Sequence, residues 1–163
     1  MENDDLAARG AMMPVTHILK HVPQRIGHSR ALDDAVRCIM QGPSTRNNNM
    51  ALRLYGNALN SLRESLDDEL LSRAPETLAA ASLLQMYEQY VDTPGGTWSI
   101  HACGVVEMLQ ARGVENLTDD LEKAILETQA GNIFMSALAV TAHEDHLDVF
   151  VRMVSSIGTV ILD

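Results

Sequence analysis

Cysteine is scarce: Cys38 and Cys103 are the only two in 163 residues. Two are too few for a disulfide framework, and they lie too far apart for the closely spaced pair a zinc module needs. Each is expected to be a small buried apolar residue. Lysine is equally scarce, with only Lys20 and Lys123 beside scattered arginines. Neutralising nucleic-acid phosphates takes a cluster of basic side chains, so direct nucleic-acid binding is not expected, and no basic import segment is visible. Five prolines and ten glycines argue against wholesale disorder or a fibrous chain. No run reaches the ~18 apolar residues of a membrane span. The first thirty residues carry Glu2, Asp4, Asp5, Arg9, Lys20 and Arg25 where a secretory signal would be apolar. The expectation is a soluble, intracellular protein.

What is present suits one folded domain. Hydrophobic residues make up 46% and charged residues 21%, and 163 residues can bury a core without metals or disulfides. The net charge of −10 is unevenly placed: residues 1–60 carry seven basic and five acidic groups, residues 61–163 five basic and seventeen acidic. An acidic lobe favours solubility or contact with a basic partner.

Periodicity predicts helices throughout. Residues 1–12 are polar and aperiodic, a flexible terminus, and 13–163 form a single domain. One or two helical turns around 15–21 end at Pro23. Ser29 is placed to cap a helix with Leu32, Ala35, Val36, Ile39 and Met40 at three- and four-residue steps, which stops at Gly42-Pro43. Residues 43–49 form a loop. From Met50 to Ser72, Leu52, Tyr55, Leu59, Leu62, Leu66 and Leu70 mark one apolar stripe of a long helix. Pro75 opens the next helix, with Leu78, Ala81, Leu84 and Tyr87 on its apolar face and Ala79, Ala80 and Ser82 permitting close approach. Thr97 is placed to cap a helix from Trp98 to Arg112 that ends at Gly113, and Thr118 starts a helix running toward Val140, loosened near Gly131-Asn132. The apolar run from Leu147 to Leu162 has no second strand to pair with, and its length favours a last helix. The fold class is therefore all-α, a single helical bundle of six to seven helices with short connections.

Few constellations suggest chemistry. His17 and His21 stand four apart, but two ligands are too few for a metal site. His143 and His146 are three apart, not the four that a metalloprotease helix requires. Asp67, Asp68 and Glu69 are consecutive, so on a helix they fan apart rather than converge, with Glu69 able to pair with Arg73. No nucleophile elbow, phosphate loop or cofactor fingerprint is present, so no catalytic residue, metal or cofactor is assigned. Glu88, His101 and Arg112 each lie on or beside an apolar face, and the expectation is one buried polar network clamping adjacent helices, with an acid–histidine catalytic pair as the functional alternative. Methionines 86, 108 and 135 read as core filler. Leu84, Trp98, Met108 and Met135 would line a pocket between helices if the domain senses or carries a small molecule.

Three segments in order carry a family likeness: Tyr55-x-x-Ala58-Leu59-x-x-Leu62-x-x-x-Leu66, then Glu76-Thr77-Leu78-Ala79-Ala80 leading to Leu83-Leu84-x-Met86-Tyr87-Glu88, then Trp98-x-x-His101-x-x-Gly104-x-x-x-x-Leu109-x-x-Arg112-Gly113. Together with Pro23-x-Arg25-Ile26-Gly27 and Ala31-Leu32-x-x-Ala35-Val36 upstream, they resemble the regulatory middle region of fungal zinc-cluster transcription factors over about residues 15–140. The resemblance implies an all-helical, non-enzymatic regulatory domain that responds to a protein partner or a small-molecule effector, and a nuclear location. The departure is plain: Cys38 and Cys103 cannot supply the six cysteines of the zinc cluster, so the DNA-reading part is missing.

Overall fold

The computed structural model describes residues 17–42, 48–91, 97–113 and 116–140, with side chains described at all of these except 48, 97–99 and 132–140. The expectations for the first twelve residues, the loop after Gly42, His143, His146 and the last helix lie outside the described residues.

Among the described residues there is no strand. Five α-helices follow one another: α1 (Arg30–Gln41), α2 (Asn48–Asp67), α3 (Pro75–Val91), α4 (Thr97–Arg112) and α5 (Asp120–Val140). A helical turn at 17–19 and two short 3-10 turns, Pro23–Arg25 and Leu71–Arg73, are also present among the described residues. The protein is an all-α helical bundle, and no helix among the described residues is long and apolar enough to cross a membrane.

Local chemistry sets the helix ends. Ser29 Oγ accepts the Leu32 N–H to start α1, and Gly42, at φ 61°, ends it with its own N–H donating to the Ile39 carbonyl. The stop for α2 comes at Asp67, not Ser72. Asp68 Oδ1 accepts the N–H groups of both Leu70 and Leu71 at 2.9 Å, a side-chain alternative to the helical ladder that turns the chain. The ion pair here is Arg63–Asp67 on the last turn of α2, not Glu69 with Arg73. Helix α5 starts at Asp120 because Asp119, rather than Thr118, is its cap: Asp119 Oδ1 accepts the Leu121 N–H and its carbonyl accepts that of Lys123. The helix then runs through Gly131 to Val140 without a break.

Helix α3 is the axis of the molecule, packing against α1, α2, α4 and α5. Twelve consecutive residues, Thr77 to Glu88, are buried, so the one-sided face read from its sequence is in fact a surface covered on all sides. Ala79, Ala80 and Ala81 make this compatible with four close neighbours. The stripe of α2 is also rotated from the expected one. Ala51, Ala58, Ser61, Leu62 and Ser65 face inward, whereas Leu52 and Leu66 are exposed. Small side chains let α2 lie close to α1 and α3, and that approach outweighs burial of the larger leucines. Between α3 and α5, Gln129 Nε2 donates to Gln85 Oε1 at 2.8 Å and to Ser82 Oγ at 3.2 Å, a fully buried amide link.

Candidate functional site

Two polar clusters sit at opposite ends of α3. The first joins four helices. Tyr55 of α2 donates its hydroxyl hydrogen to Glu88 Oε1 on α3, and His101 Nε2 of α4 lies 3.4 Å from the same oxygen. The rings of Tyr55 and Tyr87 stack at 5.5 Å with 24° between their planes, and the Tyr87 hydroxyl meets the Cys38 thiol of α1. Glu88 is only 2% exposed, so its carboxylate depends on these neighbours for the stabilisation that water would otherwise supply. Burial raises the Tyr55 and Tyr87 hydroxyls above the usual tyrosine range, and the Glu88 contact adds to the rise at Tyr55. Burial likewise pushes the Cys38 thiol up to about 11, which makes it a poor nucleophile at neutral pH.

Arg112 does not belong to this cluster. It follows His101 by eleven positions on the same helix, about 16 Å along the axis, and lies at the opposite end of α4. There its Nε stands 3.0 Å from Glu122 Oε1, and its terminal nitrogens donate to the carbonyls of Met108, Ser72 and Ala74. One guanidinium thus closes the C-terminus of α4, holds the turn before α3 and pairs with the first turn of α5. Burial lowers the Arg112 pKa and raises that of Glu122, with their mutual attraction opposing both shifts. Nearby, Arg25 bridges Glu76 and Asp119. Those hydrogen bonds raise the Arg25 pKa; at Asp119, burial pushes upward but is outweighed by Arg25 and the Leu121 N–H, and the carboxyl is held below its usual range.

Beside the Arg112 cluster runs a groove of about 750 Å³ between the end of α2, the Leu71–Arg73 turn and the C-terminal half of α4. Leu66, Met108, Ala111 and Leu117 give it apolar walls, and Arg73, Glu107, Arg112 and Glu122 its charged ones. It is not the pocket expected from the sequence. Met108 lines it, but Leu84 is fully buried in the core, where α3 is enclosed by its neighbours, and the side chains of Trp98 and Met135 lie outside the described residues. His17 and His21 do not share a helical face, since the first turn of helix ends at residue 19, and His17 instead approaches Glu127 at 3.5 Å. Among the described residues no group of three or more His, Cys, Asp or Glu side chains is placed to hold a metal ion.

Sequence reasoning missed Tyr55 and Glu122 as polar partners. Tyr55 is 33 positions from Glu88 and was legible only as part of an apolar stripe; Glu122 reads locally as a first-turn acid favourable to the helix dipole. Compared with protein-family models, with curated proteins and with solved structures, the chain shows no match in any of the three.

Proposed function

We propose that this chain is a non-enzymatic regulatory domain, like the middle region of fungal zinc-cluster transcription factors that it resembles, and that it acts by binding a partner protein through its helix surfaces. In this reading it works in the nucleus together with a DNA-reading module. The observation that carries the proposal is a set of exposed leucines at the groove: Leu66 lines it and is 44% exposed, and Leu70 and Leu71, which immediately precede the lining residue Ser72 in the chain, are 84% and 47% exposed, while Leu84 is fully buried. Three neighbouring leucines in water beside a concavity are what a binding surface presents and what a closed carrier does not. The polar clusters fit the same reading, because Glu88, Arg112 and Arg25 are each engaged in holding helices together.

A small-molecule effector in the groove is the second reading, favoured by a volume within the usual range for such ligands. Thermal unfolding and native mass of the purified chain, with and without nuclear extract separated by size, distinguish the two. A rise in melting temperature with the macromolecular fraction and a matching gain in mass support the interaction domain; a rise with the low-mass fraction alone supports the sensor. No rise with either fraction overturns both.

A further inference from the structure

We infer that the groove between the end of α2 and the C-terminal half of α4 docks a basic amphipathic α-helix of a partner protein, an assignment that rests on the interaction reading above. Shape and chemistry select this occupant together. The groove presents Leu66, Met108 and Leu117, and the exposed Leu70 and Leu71 immediately precede its lining residue Ser72 in the chain. Leucines at three- and four-residue spacing along one face of a partner helix match such a concavity, and the unbranched thioether of Met108 can adapt to them. Among the described residues there is no strand, so no sheet edge is offered for an extended peptide to join.

Charge decides the rest. Exposed Glu107 lines the groove, and exposed Asp67, Asp68 and Glu69 lie in the chain between its lining residues Leu66 and Ser72, with Asp67 paired to Arg63. Of the two groove-lining arginines, Arg112 is committed to Glu122 and three carbonyls, and exposed Arg73 together with Arg63 faces four exposed acids, Asp67, Asp68, Glu69 and Glu107. These acids continue the acidic bias of residues 61–163, with seventeen acidic and five basic groups. A second copy of this chain docking through its acidic residues 61–163 meets repulsion there, and an acidic helix does too. A helix with lysines or arginines flanking its apolar stripe pairs with these acids.

The test selects binders to the full chain from a display library of random peptides about four helical turns long, then measures a selected peptide by fluorescence anisotropy at two salt concentrations. Enriched sequences are expected to carry Lys or Arg around apolar residues three and four apart, and to bind more weakly as salt rises. Leu66→Ser with Leu70→Ser, or Glu107→Lys alone, is expected to weaken binding by about tenfold or more. Leu52→Ser, an exposed leucine far along α2, leaves it unchanged, and circular dichroism confirms that every variant is folded. Enrichment of acidic or charge-free sequences, equal binding of a scrambled basic peptide, or indifference to the groove variants overturns the assignment, as does a dimer of the chain that Leu70→Ser dissolves. If the extract-induced rise in melting temperature survives Glu107→Lys and Leu70→Ser, the interaction reading stands and the groove assignment falls.

Discussion

Glu88 shows what one buried carboxylate costs and what it secures. At 2% exposure it has given up hydration for the Tyr55 hydroxyl and the His101 imidazole, and so ties α2 and α4 to the central helix. Glu88→Ala leaves a cavity and strands the Tyr55 hydroxyl, and is expected to lower stability by about 2–4 kcal/mol. Glu88→Gln keeps the shape and an acceptor, with an expected loss of about 1 kcal/mol. Urea unfolding of both variants checks this, and an unchanged midpoint for the alanine variant would show that the cluster does not clamp the helices. Glu88 and His101 could be picked out as candidates because a carboxylate and a histidine interrupt otherwise apolar faces. That Arg112 lies elsewhere was hidden, since the sequence does not say which ends of two helices meet.

At the scale of the element, two glycines separate backbone conformation from space. Gly42 terminates α1 at φ 61° and ψ 177°, a region nearly closed to other residues, whereas Gly56 sits inside α2; an added methyl would meet nothing within 4 Å at either. The same substitution should therefore act in opposite directions. Gly42→Ala is expected to destabilise by about 1–2 kcal/mol through backbone strain alone, and Gly56→Ala to stabilise by about 0.5–1 kcal/mol through helix propensity. Thermal melts of the two variants decide it; equal shifts of the same sign would mean that strain at Gly42 is relieved by refolding of the cap. Helix existence and most ends were legible because caps and glycine stops act within a few residues. The end of α2 was not, because the leucine spacing continues to Leu70 past the point where Asp68 turns the backbone.

Across the whole molecule, the end of the bundle that holds Arg25, Asp119, Arg112 and Glu122 sets the acid response. Asp119 has a folded pKa below its ordinary 3.8, so its contribution is present above that pH and is lost as pH falls through the lowered value. Glu122 has a folded pKa above its ordinary 4.5, so its contribution is present below that pH and is lost as pH rises through the raised value. The two oppose each other. Asp119→Asn is expected to lower stability at pH 7 by about 1 kcal/mol for this partly buried pair, with the gap to wild type closing below pH 3.8. Denaturant unfolding at stepped pH measures the gap, and a constant difference down to strong acid would show that the Arg25–Asp119 pair carries no charge-dependent stability.

The amino-acid sequence by itself determined that this is an all-α bundle, where α1, α3, α4 and α5 begin within a residue or two, and that residues 61–163 are acidic. These follow from propensity, capping and charge, which need only near neighbours in the chain. Only the tertiary structure decided that α3 is enclosed on all sides, that α2 turns Ala51, Ala58, Ser61 and Ser65 inward and Leu52 and Leu66 out, and that Glu88 meets Tyr55 while Arg112 meets Glu122. The reason is physical. Which side of an amphipathic helix is buried depends on how closely its neighbours approach, and buried charges choose partners by where helix ends converge, so neither is written in the spacing of any one segment.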